Sequence, residues 1–111
     1  MDNAPDFSSL VDLENCTVSP IAFSSEAVYQ AELEKIFSRS WLYLGHTSQI
    51  AKANDYLTTF MGAESVIIVR QSSGEIKAFL NSCRHRGMRL CRRDHGNKKL
   101  FSCPYHGWTY D

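Results

Sequence analysis

Four residues in the second half of the chain have the types and the spacing to bind a metal. Cys83-Arg84-His85 and Cys103-Pro104-Tyr105-His106 each set a thiol beside an imidazole in a short segment, and 17 residues, Arg86 through Ser102, separate the two. Gly87 and Gly107 follow, two residues and one residue beyond the respective histidines. Two loops of this kind brought together supply two sulfur and two nitrogen ligands. That set suits a single tetrahedral Zn²⁺, or a [2Fe–2S] cluster with two Cys on one iron and two His on the other. Familiar zinc modules pair Cys with Cys in one short spacing and His with His in the other. Here each spacing is mixed, which suits a binuclear centre because each loop must reach both irons.

The other thiols and imidazoles show no such company. Cys16 stands in a polar segment and Cys91 among arginines. His46 and His95 lie in separate segments, not together as a site of two His and one carboxylate would need. His46, after Leu44-Gly45, reads as a core or interface residue, and His95 as a loop residue.

The elements that must position the ligands follow from periodicity. Residues 1–24 show no period and contain Pro5 and Pro20, which suggests an extended N-terminal arm. Ser25 is a suitable N-cap, Glu26 suits the positive end of a helix dipole, and Tyr29, Leu33, Ile36 and Phe37 recur at helical spacing, so a helix is expected from Ser25 to about Ser38–Ser40. Beyond it the period shortens towards two. Trp41-Leu42-Tyr43-Leu44 and Tyr56-Leu57-Thr58-Thr59-Phe60 read as strands. Ser65 to Arg70 and Ile76 to Leu80 flank a turn containing Gly74, a β-hairpin, and short strands are expected around Leu100 to Ser102 and Trp108 to Tyr110. The fold class is mainly β: an antiparallel domain over residues 41–111, preceded by an arm and one leading α-helix over residues 1–40.

With 111 residues, twelve Lys+Arg against twelve Asp+Glu and 43% hydrophobic residues, the composition is that of one globular domain and excludes a disordered tail. The balance of charge is uneven. Residues 1–55 carry three bases against eight acids, and residues 56–111 nine bases against four acids. Arg84, Arg86, Arg89, Arg92, Arg93, Lys98 and Lys99 face only Asp94 within their own segment, a field that would attract an acidic partner, an anionic ligand or nucleic acid, or simply be solvated. No apolar run approaches the ~18–20 residues of a membrane helix. The acidic start, Met1 to Asp6, lacks the basic and apolar regions of a signal peptide, and a cytoplasmic location is the expectation.

The two loops resemble the Rieske motif C-x-H-x17-C-x2-H of the large (α) subunit of bacterial aromatic-ring-hydroxylating dioxygenases. Glu32-Leu33-Glu34-Lys35-Ile36-Phe37, Ser40-Trp41-Leu42, Leu44-Gly45-His46, Asp55-Tyr56, Val69-Arg70-Gln71 and Phe79-Leu80-Asn81 are also similar to that family, in particular to its biphenyl, benzene, cumene and polycyclic-hydrocarbon members. The likeness runs from about Val11 to Asp111. It departs at Cys16, where Gly is expected, and at Ala51 and Ala53, where Pro is expected.

The resemblance implies that Cys83, His85, Cys103 and His106 ligate a Rieske [2Fe–2S] cluster, supported by Arg84, Arg86, Gly87, Gly107, Trp108 and Tyr110. It implies electrons arriving from an NAD(P)H-dependent reductase through a ferredoxin and passing to a mononuclear non-haem Fe(II), where an aromatic hydrocarbon is cis-dihydroxylated. That iron belongs to a catalytic domain absent from these residues, so the expectation is an N-terminal fragment ending before the last strands of the Rieske domain, whose parent also binds a small (β) subunit and further α subunits, but neither nucleic acid nor membrane. Reduction makes the neutral cluster negative, and Arg84 and Arg86 would stabilise that charge and draw in an acidic ferredoxin. Met88 and Tyr105 stand where the Rieske proteins of cytochrome bc complexes have disulfide cysteines, and Trp108 where they have a serine donor to sulfur; losing that donor implies a potential at the low end of roughly −150 to +300 mV. A stand-alone Rieske ferredoxin and a zinc-binding interaction module are the alternatives.

Overall fold

In the computed structural model, which describes residues 6–111, Ser25 does the work its sequence suggests. Its side chain accepts the Val28 N–H (3.4 Å), and α2 runs Glu26–Glu32 with Glu26 in the first turn. The expected helix continues to Phe37, but Leu33–Phe37 is a π-helical turn closed by Ser38 N–H on the Leu33 carbonyl.

The expected arm is more structured than its lack of period implied, and its first five residues lie outside the described residues. Phe7–Leu10 form a 3-10 turn, and β1 (Val11–Asp12) pairs antiparallel with β2 (Thr17–Val18). The Asp12 carboxylate accepts the Glu14 and Asn15 N–H groups in the connecting turn, and Cys16, where a glycine was expected, has φ +51°. Pro20, with its φ already helical, starts a further short turn, α1 (Ile21–Ser24). Capping side chains and turn geometry order this segment, which is why a search for periodicity passed over it.

The chain divides into two units, one ending at Trp41 and one comprising Leu42–Asp111. The second is built on a four-stranded antiparallel sheet. Its strands are β3 (Asp55–Met61), β4 (Glu64–Arg70), β5 (Ile76–Leu80) and β6 (His95–Asn97), in the order β5-β4-β3-β6. In the turn between β4 and β5, Gly74 takes φ +89°. Val66 to Val69 of β4 are all buried, because both faces of the sheet are covered. On one face Ile67 and Val69 pack with Tyr56, Cys91, Leu90 and Phe101; on the other Ile68 packs with Ile50, Leu57 and Leu44. Full burial of such side chains is worth about 1.5–3 kcal/mol each. A small hairpin, β7 (Phe101–Ser102) and β8 (Thr109–Tyr110), completes the unit.

Two expectations fail here, and a third fails in part. Trp41-Leu42-Tyr43-Leu44 is extended but forms no strand: Leu42 and Leu44 are half-buried while Trp41 and Tyr43 are exposed, so the alternation is real but the backbone has no ladder partner. Of the core or interface role read for His46, the core half is excluded. The residue is exposed and caps the 3-10 turn Thr47–Ile50, where its ring accepts the Ser48 N–H and Gln49 reaches back to its backbone. His95 lies in β6 instead of a loop. The His95-Gly96-Asn97 segment has poor intrinsic strand preference. It is held by β3, with Asn97 Nδ2 donating to the Asp55 carboxylate and the Ala53 carbonyl (2.8 Å each). At Gly96 any Cβ would stand 2.9 Å from the Tyr56 hydroxyl, so the close approach requires glycine.

Candidate metal centre

The two Cys/His segments fold into loops of the same design. Residues 83–88 follow β5, and residues 103–108 join β7 to β8. In the first, Cys83 N–H donates to the Met88 carbonyl (2.8 Å) and Gly87 N–H to the Cys83 carbonyl (2.8 Å); in the second, Cys103 N–H donates to Trp108 (2.7 Å) and Gly107 N–H to Cys103 (3.0 Å). The glycine is the fourth residue after the cysteine in both, at φ +76° and +79°, a region that favours residues without Cβ. His85 is the second residue after its cysteine and His106 the third, so equivalent turns present their imidazoles from different positions.

The loops meet. His85 Nδ1 and His106 Nδ1 face each other at 3.2 Å, and both rings are exposed. Cys83 and Cys103 are buried, at 3% and 4% exposure, and their side chains interact. The donors thus come as one sulfur pair and one nitrogen pair. Among the described residues no three His, Cys, Asp or Glu side chains converge on one point as around a mononuclear ion. Two nitrogens bound at about 2.0–2.1 Å to one tetrahedral metal stand about 3.3 Å apart, so the imidazole spacing fits a shared metal atom.

Three aromatic side chains finish the site. Trp108 stacks on His85 (4.8 Å between centroids, 12° between planes), and Tyr105 lies against His106 (3.8 Å). Tyr110 reaches from the second hairpin into the first loop: its hydroxyl accepts the Arg84 N–H (3.0 Å) and lies 3.2 Å from Cys83 Sγ. With one lone pair engaged by Arg84, the hydroxyl proton is free to point at sulfur. That bond is the main reason the Cys83 thiol is held below its ordinary pKa; burial opposes it, and the His85 N–H and the Cys103 side chain assist. Tyr110 is correspondingly raised, chiefly by its bond to Cys83. Both directions describe a phenol donating to a thiolate, the form in which sulfur binds metal.

Arg84 and Arg86 flank His85, are exposed, and form no ion pair among the described residues. The sequence reasoning missed Asn81 and the part played by Cys91. Asn81 is buried at 4% exposure; its Oδ1 accepts the Cys91 N–H (2.8 Å) and its Nδ2 donates to the Cys91 carbonyl (2.7 Å) and to Ser65 Oγ (3.2 Å). An amide placed two residues before the loop cysteine Cys83, directly after an apolar strand, was the available signal.

A β domain presenting two opposed Cys/His loops, with thiols buried and imidazoles exposed, is an iron–sulfur domain in its architecture. The family model for the Rieske [2Fe-2S] domain matches residues 40–111, and the chain belongs to that family. It is 55% identical over 106 residues to biphenyl 2,3-dioxygenase subunit alpha of Rhodococcus jostii (strain RHA1), covering 96% of this chain and 23% of that protein. Benzene 1,2-dioxygenase subunit alpha of Pseudomonas putida is 51% identical, over 98% of this chain and 24% of its own length. Among solved structures, naphthalene 1,2-dioxygenase with indole in its active site superimposes with a TM-score of 0.79 at 44% identity, over 91% of this chain and 23% of that one. A quaternary ammonium Rieske monooxygenase in complex with L-carnitine gives 0.71 at 37%, over 81% and 26%. The chain therefore spans about a quarter of the length of the curated relatives it matches. No helix among the described residues is long and apolar enough to cross a membrane.

Proposed function

We propose that Cys83 and Cys103 hold one iron of a [2Fe–2S] cluster and His85 and His106 the other, and that this domain is the electron-transfer portion of an aromatic-ring-hydroxylating dioxygenase α subunit. The observation that carries the ligand assignment is the pair of imidazole Nδ1 atoms at 3.2 Å from twin loops, beside a buried thiol pair. When bound, such a cluster supplies one-electron redox chemistry. The chain's own residues prepare for it. Tyr110 and the loop N–H groups favour the Cys83 thiolate, and the Trp108 ring fixes the plane of His85. With Nδ1 engaged, each exposed imidazole keeps its other ring nitrogen for a hydrogen bond to a carboxylate, which would orient the ligand.

The identity to biphenyl and benzene dioxygenase α subunits supports placing the parent activity at cis-dihydroxylation of an aromatic hydrocarbon on a mononuclear Fe(II), in the cytoplasm, with a β subunit, further α subunits, a ferredoxin and an NAD(P)H-dependent reductase as partners. Arg84 and Arg86, exposed and without ion pairs in this domain, suit an acidic donor protein. The comparisons favour neither a zinc module nor a free-standing ferredoxin.

The test is single substitution in the holoprotein. His85→Ala, His106→Ala, Cys83→Ser and Cys103→Ser are each expected to abolish the visible chromophore and the electron paramagnetic resonance (EPR) signal of the reduced cluster, with iron falling from two per chain. An unchanged spectrum in either imidazole variant, or spectroscopy showing ligation by sulfur alone, rules the assignment out. Formation of a cis-dihydrodiol by the full assembly, dependent on reduced ferredoxin, tests the parent activity.

A further inference from the structure

Residues 82–90 form an excursion whose two ends are joined by the side chain of Asn81. Asn81 leaves β5 with its backbone N–H on the Ser65 carbonyl (2.8 Å), and its amide then binds both backbone groups of Cys91. The amide stands in for a strand partner, offering one acceptor and one donor to a residue that belongs to no strand. Its orientation is dictated: Oδ1 must meet the Cys91 N–H and Nδ2 the Cys91 carbonyl, since the reverse would set donor on donor. It is the buried polar side chain of the domain, and no buried side-chain nitrogen or oxygen among the described residues lacks a partner.

Cys91 in turn belongs to the core shared with the second loop. It packs with Tyr56, and its thiol donates to the Arg93 carbonyl (3.6 Å). The Tyr56 ring meets Phe101 edge-on (5.2 Å, 78°), and Phe101 lies in β7, two residues before Cys103. From Asn81 through Cys91, Tyr56 and Phe101, a continuous set of contacts runs from the root of the first ligand loop to the root of the second.

We propose that Asn81 is a positioning residue for the cluster: its clamp on Cys91 sets where Cys83 and His85 stand relative to Cys103 and His106. The proposal rests on the ligand assignment above. Asn81→Asp keeps the shape and the acceptor but removes the donor to the Cys91 carbonyl, and Asn81→Ala removes both. In the holoprotein each is expected to release iron about 10-fold faster or more, the scale of outer-shell losses at metal sites, and to shift the EPR g-values and potential of the reduced cluster. Ser65→Ala, which leaves the amide's two bonds to Cys91 intact, and Ile68→Ala, which weakens the same sheet on its other face among Ile50 and Leu57, are expected to leave the g-values unchanged.

Unaltered g-values and iron retention in Asn81→Asp and Asn81→Ala would overturn the proposal. Should those chains not accumulate, hydrogen exchange in the unsubstituted holoprotein decides. A Cys91 amide protected like that of Ile67 supports the clamp, and one exchanging like exposed Arg92 refutes it. If His85→Ala kept its chromophore, the ligand assignment would fall first. If that variant lost its chromophore while Asn81→Asp behaved as unsubstituted protein, only the positioning role would fall.

Discussion

The loop of residues 83–88 and the loop of residues 103–108 close with the same pair of backbone hydrogen bonds around a glycine at the same offset, yet they are anchored to very different surroundings. The first follows a strand of the four-stranded sheet, is pinned behind by the buried Asn81–Cys91 clamp and is touched from the side by Tyr110. The second spans a two-stranded hairpin whose cross-strand side-chain bond, Ser102 Oγ to Thr109 Oγ1 (2.9 Å), is exposed to water. A turn that local sequence can encode is thus repeated, while its stiffness is set by what lies beneath it. The first loop is rooted in a buried polar contact, and the second in a hairpin whose side-chain bond is open to water.

Removing the anchors should expose this difference most strongly. Asn81→Ala strands two buried backbone groups, each costing about 1–3 kcal/mol, whereas water replaces what Thr109→Val removes from an exposed pair, at about 0.5–1.5 kcal/mol. Denaturant midpoints of the two variants measure the contrast, and equal losses would erase it. The shared turn predicts the opposite pattern at the glycines. A Cβ at Gly87 would lie 3.7 Å from Ser82 Oγ and at Gly107 would meet nothing within 4 Å, so only backbone conformation is at stake. Gly87→Ala and Gly107→Ala should each cost about 1–2 kcal/mol, and markedly unequal values would show that the turns are not equivalent.

Tyr110 is where the second hairpin acts on the first loop. A donor to sulfur stabilises the more negative, reduced state, so Tyr110→Phe should lower the potential; a bond worth about 0.5–1.5 kcal/mol corresponds to about 20–60 mV for one electron. Potentiometric titration reads this, and a raised potential would reverse the donor assignment. The smallest effect is expected at Asp55, which ties β6, on the path to the second loop, to β3. Its carboxyl is held below the ordinary 3.8, first by the Asn97 amide and then by the Lys52 N–H. A group lowered on folding contributes stability above its unfolded pKa and loses it as pH falls through the lowered value. Asn97→Ala should therefore flatten the acid limb of the stability–pH curve below about pH 4, and an unchanged limb would dismiss the tie.

The twin Cys/His segments, the hairpin of β4 and β5, β3 and the capped start of α2 were legible because each is written locally: a thiol and an imidazole in each of two short segments, alternating β-branched residues, a serine before an amphipathic run. β6 was not legible, because Gly96 and Asn97 become strand only where Tyr56 and Asp55 receive them. The supposed strand at 41–44 had the alternation of one and lacked a partner, which no local pattern reveals. Asn81 was visible as a letter but not as a clamp, since Cys91 lies ten residues on and its free backbone groups exist only in the fold.

By itself, then, the order of residues determined the donors and the turns that carry them, because spacing and glycine placement act within a few residues. Tertiary structure alone decided that the two imidazoles meet nitrogen to nitrogen, that Tyr110 reaches Cys83, and that one buried amide joins the first loop to the core of the second. Those relations depend on packing between segments distant in the chain, where burial strengthens each hydrogen bond made and penalises each one missed.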